Sequence, residues 1–290
     1  MSLPFRVMGI VNVTPDSFSD GGLFMDARAA IAHARELVAE GADIVDVGGE
    51  STRPGAEPVS AAEELRRVLP AVAGLAGDLT SARATPAGAM DARPRISIDT
   101  SKAQVARAAL DAGASIVNDV SALRGDPDMA GVVADSGCEC CLMHMLGEPR
   151  TMQRAGRPQY KDVVDDVRAF LEERLAFAVR EGVREERIML DPGIGFGKTV
   201  AHNLALLRRL DELVGIGRPV VVGTSRKSFL GRILAADDVV GESESVDAAR
   251  RLAGTIATNV LAYERGGSVF RVHDVAPVRA ALAVAAATLG

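Results

Sequence analysis

Asp99, Asn118 and Asp191 stand at or near the ends of the apolar, β-branched runs RISIDT, SIVNDVS and IMLD. Carboxylates and amides set among apolar neighbours are costly to bury without partners. A ligand edge with several adjacent N–H groups, such as a guanidine-like heterocycle, would satisfy them. Each could also cap the helix that follows it, Asp99 before Thr100-Ser101 being the plainest case. A second set is cationic. Ser225-Arg226-Lys227-Ser228 follows one apolar run and opens another of helical spacing. Basic residues there oppose the helix dipole, which disfavours a purely structural role. With the N–H groups of a helix start they make an anion site, or a cation aimed at a ligand oxygen. Arg271 and His273 alternate along the last apolar run and so project to one side. If the chain closes into a barrel, its last strand adjoins its first and sets them beside Asn12. An arginine, a histidine and a neutral amide oxygen together suit a diphosphate with its magnesium ion.

The run DPGIGFGKT invites a P-loop reading, but that pattern needs glycine where Pro192 stands. What remains is a turn with Gly193, Gly195 and Gly197, where the backbone can approach a ligand closely. Phe196 within it either walls a flat ring or fills the core. The three cysteines, Cys138, Cys140 and Cys141, cluster before His144 but fit no common zinc spacing, and a strand would point neighbouring thiols to opposite faces. They read as buried core thiols. His33 reads as a helix-surface residue, His202 as lying near a helix start, and His144 is left open.

The elements that must position these residues follow one rhythm. Apolar runs at 7–13, 44–47, 95–100, 115–121, 137–145, 188–190, 219–223 and 269–272 each end in polar or glycine-rich turns, and amphipathic stretches separate them. Ser60 and Glu63 have capping-box spacing, and Leu65, Val68, Leu69, Val72 and Leu75 then form one apolar stripe. About eight such repeats at this length describe a single (β/α)8 TIM barrel, an α/β fold whose site lies at the carboxyl ends of its strands. A doubly wound open sheet is the competitor, but no G-x-G-x-x-G follows the first run. Residues 77–94, rich in Ala, Gly, Thr and Pro without a period, read as a flexible surface insertion into one domain spanning 1–290.

The chain has 290 residues, 48% of them hydrophobic, and a net charge of −6. That composition supports a large core and offers no basic stripe for nucleic acid. No apolar run is long enough to span a bilayer, and the first residues lack signal-peptide features, so a cytoplasmic protein is expected.

The motifs MGIVNVTPDSFSDGG, GGESTRPGA, ISIDTS, IVNDVS, LMHM, DPGIGFGK, SRKSFLG and RVHD, in this order and across essentially the whole chain, resemble those of the bacterial dihydropteroate synthases. The resemblance implies a folate-pathway transferase that joins 6-hydroxymethyl-7,8-dihydropterin diphosphate to 4-aminobenzoate and releases diphosphate. It implies a pterin pocket of Asp99, Asn118, Asp191 and Lys227 lined by Met143, Phe196 and Gly223. Asn12, Arg53, Arg271 and His273 fall on the diphosphate side, with Mg2+ as cofactor at Asn12. Thr52, Arg53 and Pro54 match a second mobile loop, and Asp16, Phe18 and Ser19 a first. Aminobenzoate is assigned to Thr52, Pro54, Phe18, Phe196 and Ser228, and the catalytic set to Lys227, Asp99, Arg271, His273 and Arg53. A homodimer and sulfonamide sensitivity are implied as well. The rivals are a pterin-dependent methyltransferase-like barrel, which needs no diphosphate site, and a non-catalytic pterin-binding paralogue. The intact NVTPDSFSDGG and RVHD motifs argue against the first, and Asn12, Arg53, Lys227 and His273 against the second.

Overall fold

The computed structural model describes residues 4–14, 23–51, 56–81, 93–147, 159–236 and 250–290. Eight strands form one parallel sheet: β1 (Arg6–Asn12), β2 (Ile44–Gly48), β3 (Arg95–Asp99), β4 (Ile116–Asp119), β5 (Glu139–Met143), β6 (Ile188–Asp191), β7 (Val221–Val222) and β8 (Val269–Val272). They pair in the order β6-β5-β4-β3-β2-β1-β8-β7, and a bridge between Leu190 and Val220 joins the two ends. At that seam the Leu190 N–H donates to the Pro219 carbonyl at 2.9 Å. The sheet is therefore a (β/α)8 barrel, and the open-sheet alternative falls.

Helices α1 (Leu23–Ala39), α2 (Ala61–Ser81), α3 (Ala103–Asp111), α4 (Met129–Ser136), α5 (Val163–Arg180), α6 (Val200–Arg208), α7 (Leu210–Val214), α8 (Ser228–Ala236), α9 (Leu252–Glu264) and α10 (Val275–Leu289) follow the strands. The apolar stripe of α2 works as its spacing predicts: Val68, Val72 and Leu75 are sealed against the sheet. Ser60 Oγ accepts from the Glu63 N–H at 3.2 Å. One expectation needs correction. The segment read as an insertion from 77 begins inside α2, which runs on to Ser81. Ala73, Ala76 and Leu79 favour the helix on either side of Gly77, a propensity that the glycine disguises. Of the remainder of that segment, 82–92 lie outside the described residues, and 93–94 lead into β3.

The barrel interior is layered. Near the amino ends of the strands Glu139 accepts from Arg95 at 2.6 Å and from Arg6 at 3.3 Å. Above them Met8, Ile44, Ile116, Cys141, Met189, Val221 and Val269 form an apolar plug. Because strand side chains alternate, the next inward positions are Asp46, Asn118, Met143, Asp191 and Arg271, at or near the carboxyl ends. The outward positions pack under the helices in a separate, larger core. Cys140 faces that core while Cys141 faces the barrel interior, so neighbouring thiols do point to opposite faces.

Leu75 lies in α2, remote from the barrel mouth, and is fully buried. Leu75→Ala is expected to lower unfolding free energy by about 2–5 kcal/mol in denaturant titration, with kcat/KM of the folded fraction unchanged.

Candidate active site

The strand register brings the polar ends together. Gly48 pairs with Asp99, Asp99 with Asn118, and Met143 with Asp191. None of the three polar residues is a helix cap at the following helix. Lys102, not Asp99, occupies the N-cap position of α3. Arg271 Nη2 donates to Asp99 Oδ2 at 2.7 Å, and Arg271 Nε to Asp46 Oδ2 at 2.7 Å. The same Asp46 oxygen accepts from Asn118 Nδ2 at 3.0 Å. Asp191 Oδ1 accepts from the Gly193 N–H at 2.7 Å and so pins the start of the glycine turn.

Each of the three residues thus commits one side-chain polar atom to the protein and keeps another oxygen free of protein donors among the described residues. Those oxygens are Asp99 Oδ1, Asn118 Oδ1 and Asp191 Oδ2, and none of them is sealed from solvent. The result is an edge made of acceptors only. Burial drives the Asp99 carboxyl up to about 7, against the pull of Arg271, and burial likewise raises Asp191. Asp46 and Asp99 in turn hold the Arg271 guanidinium above its ordinary value despite the cost of burying it.

Beside this edge stands an apolar wall. Met143 and Met145 pack with Val120 and the half-buried Phe196. Lys227 Nζ lies 4.3 Å from the centroid of the Phe196 ring and donates to the Ile194 carbonyl. Burial brings Lys227 down to about 8, although Asp191 opposes the shift. Gly223 ends the strand below, 4.0 Å from Lys227 Nζ to the position a Cβ would take. Phe196 is therefore wall and not core filler.

The turn carrying Phe196 needs glycine for two reasons. Gly193 has φ +65°, and a Cβ there would lie 1.8 Å from the His144 carbonyl oxygen. Gly195 has φ +87°, and a Cβ would press on the Lys227 chain at 2.8 Å. Lys198, which sequence reasoning passed over, ties the turn together. Its buried Nζ donates to the carbonyls of Gly193 at 2.9 Å and Phe196 at 3.1 Å, and it lies 2.9 Å from His144 Nδ1. Burial, then the nearby Lys227, brings Lys198 down to about 7; burial, then Lys198, pushes His144 to about 3. His144 is thus a neutral partner inside the fold. His202 completes a capping box with Thr199 at the start of α6, and His33 sits on the surface of α1.

The cationic turn after β7 divides its labour. Arg226, in the left-handed region at φ +56°, makes two hydrogen bonds to the Asp274 carboxylate and so joins the turns after β7 and β8. It is a brace between loops and not part of an anion site. Ser228 is the exposed first residue of α8. A further correction concerns β8. The register sets Met8, not Asn12, opposite Arg271, and Gly9 opposite Val272. Arg271 accordingly turns inward to the two carboxylates. His273 lies just past β8, with Nδ1 3.0 Å from Ser225 Oγ. Asn12 ends β1 half-buried at the barrel mouth. Phe18, Thr52, Arg53 and Pro54, with Asp16 and Ser19, lie outside the described residues. Asp46 was missed as well. Its signal was an acidic residue in the middle of IVDVG, a strand buried at every position.

A barrel mouth that offers an all-acceptor edge beside an aromatic wall under a lysine defines an enzyme for a flat, N–H-rich heterocycle. Residues 8–273 match the family described as pterin binding enzyme. The dihydropteroate synthase of Escherichia coli K12 is 44% identical over 284 residues, which cover 98% of this chain and 92% of that one. Two structures of Xanthomonas albilineans dihydropteroate synthase superpose closely. The one with 4-aminobenzoic acid has a TM-score of 0.84 at 43% identity, covering 99% of this chain and 94% of the other. The complex with 7,8-dihydropteroate has 0.81 at 40%, with the same coverage. The chain belongs to the dihydropteroate synthase family of folate-pathway transferases.

Lys198→Met would leave the Phe196 carbonyl without a donor among the described residues and the Gly193 carbonyl with only the Phe196 N–H. A drop of about 1–3 kcal/mol in unfolding free energy is expected by urea titration.

Proposed function

We infer that this chain condenses 6-hydroxymethyl-7,8-dihydropterin diphosphate with 4-aminobenzoate by an SN1-like displacement. The observation that carries the reading is the three-acceptor edge of Asp99, Asn118 and Asp191. The pyrimidine side of a pterin presents a row of N–H donors, and three fixed oxygens meet them without reorganisation. Met143 and Phe196 hold the ring plane, and Lys227 supplies a cation to a ring acceptor.

Departure of diphosphate leaves positive charge on the pterin methylene. Carboxylates beside the ring stabilise that charge, and cations at the rim stabilise the leaving group. Arg271 has Nη1 without a partner among the described residues and can extend it to an anion while its other two nitrogens stay on Asp46 and Asp99. His273 and Asn12 stand at the same mouth, and Arg53 is assigned there by its motif. The aromatic amine is a neutral nucleophile that loses its proton late, so no strong general base is needed. Its carboxylate is assigned to the N-terminus of α8 at Ser228, where the helix dipole favours an anion. Its ring is assigned to Phe196, with Thr52, Pro54 and Phe18 from the two loops closing over it.

Mg2+ fits the donor chemistry on one condition. Among the described residues no cluster of three or more acidic, histidine or cysteine side chains could cage a metal. Magnesium needs no such cage when substrate phosphates supply its ligands. Asn12 offers one hard amide oxygen for an ion carried in with diphosphate. When bound, the ion would neutralise charge on the leaving group. A homodimer is supported by the exposed Leu261 of α9 and Val284 and Leu289 of α10. No helix among the described residues is long and apolar enough to cross a membrane, in keeping with a cytoplasmic enzyme.

The test is turnover of both substrates with Mg2+, followed by diphosphate release; no release would overturn the reading. Lys227→Ala and Arg271→Ala should each impair turnover in folded protein. A bell-shaped profile of kcat/KM for the pterin substrate is expected as well. Asp99 accepts hydrogen bonds when ionised, so the rate rises with pH through about 7. Lys227 acts as an ammonium, so the rate falls as pH passes about 8. Lys227→Arg should move the alkaline limb upward.

A further inference from the structure

Asp46 is fully buried in β2, flanked by Val45 and Val47, and its Oδ1 has no hydrogen-bond partner among the described residues. An unpartnered carboxylate oxygen in a barrel interior is costly, and a valine or isoleucine at the same position would avoid the cost. The other oxygen shows what the residue contributes. Asp46 Oδ2 accepts from Arg271 Nε at 2.7 Å and from Asn118 Nδ2 at 3.0 Å. Through Arg271 Nη2 the same chain of contacts reaches Asp99 Oδ2 at 2.7 Å.

We propose that Asp46 is a positioning residue for pterin recognition: it fixes which end of the Asn118 amide faces the pocket. The two ends of an amide have nearly the same shape and opposite hydrogen-bonding character. An unrestrained Asn118 could present either its NH2 or its carbonyl to a ligand. A carboxylate oxygen can only accept, and Oδ2 of Asp46 already does so from the Arg271 Nε–H. Asn118 must therefore turn its NH2 inward and its oxygen outward. That oxygen completes the edge with Asp99 Oδ1 and Asp191 Oδ2. A flipped amide would set an N–H against a ligand N–H and leave both unpaired, which is how a polar pocket rejects a mismatched partner. Asp46 also holds Nε of the guanidinium that aligns Asp99, so one buried oxygen orients two of the three recognition groups without touching the ligand.

The proposal rests on the pterin reading above, and the experiment separates the two. The probe is 6-hydroxymethylpterin, which lacks diphosphate, titrated by calorimetry into wild type, Asp46→Asn and Asp46→Ala, with steady-state KM measured for both substrates. Asparagine keeps an acceptor oxygen where Oδ2 stands, so its pterin Kd should stay within about threefold of wild type. Alanine removes the acceptor: pterin Kd and pterin KM should rise at least tenfold, with KM for 4-aminobenzoate moving less than threefold. Should the alanine variant fail to fold, Asp46→Ser takes its place with the same expectation, its hydroxyl being too short to reach Asn118. Equal losses in the asparagine and alanine variants would show that charge and not acceptor geometry matters, and would overturn the proposal. So would an equal rise in both KM values, or unchanged pterin binding in the alanine variant. If wild type itself does not bind the probe, the pterin reading fails first.

Discussion

The guanidinium of Arg271 lets two carboxylates share the upper barrel interior. Asp46 and Asp99 each take a 2.7 Å hydrogen bond from a different nitrogen of it. Without that cation the two acids would repel one another in a medium that screens weakly. With it, one negative charge remains on the cluster, facing the only direction from which a partner can come. Pairing of this kind contributes little net stability, because desolvation of the ions consumes most of the Coulombic gain. What it contributes is placement. The fold carries the cluster on the apolar plug beneath it and on the ladder that keeps Gly48, Asp99 and Asn118 level.

That dependence explains why the barrel interior changes character by layer. At the amino end Glu139 gathers Arg95 and Arg6, with Arg187 3.8 Å away, where solvent offsets part of the cost. The middle layer is apolar and close-packed, and it excludes water from below. Only above it do acids, amide and guanidinium appear, where their orientation matters to a ligand. Period-2 alternation makes such a division possible, since each inward position can change character without disturbing the helix-facing core.

How much of this was legible in the sequence depended on whether a residue's role was local. The eight apolar runs with polar ends were visible as a period and a punctuation, and the barrel followed from them. Asp99, Asn118 and Asp191 were visible as polar groups where strands ought to stop. Asp46 was marked only as an acid inside the apolar run IVDVG, with no hint of its role, because its partners lie 72 and 225 residues away. Lys198 was hidden by a motif that resembles a P-loop and fails at Pro192. Its ammonium serves carbonyls of its own turn instead of phosphates. The pairing of Arg226 with Asp274 and the inward turn of Arg271 depend likewise on strand register, which composition does not encode.

The two sides of the pocket are built against opposite electrostatic penalties. On the β3–β4 side burial raises an acid; on the β6–β7 side burial lowers a base, so that Asp99 and Lys227 approach one another near 7 and 8. Each shift follows first from the cost of burying the charged form. A heterocycle with donors on one edge and an acceptor on the other relieves both at once: its N–H groups favour the Asp99 carboxylate, and its acceptor favours the Lys227 ammonium. Binding such a ligand therefore draws both groups toward their charged forms, at a cost in affinity set by how far the free protein holds them from those forms. A flat ligand can also stack on the half-buried Phe196, whose turn Lys198 holds through the Gly193 and Phe196 carbonyls. Acceptors on one edge, a cation on the other and a rigid aromatic face between them make the selection jointly. None of the three would distinguish a pterin from another planar amine alone.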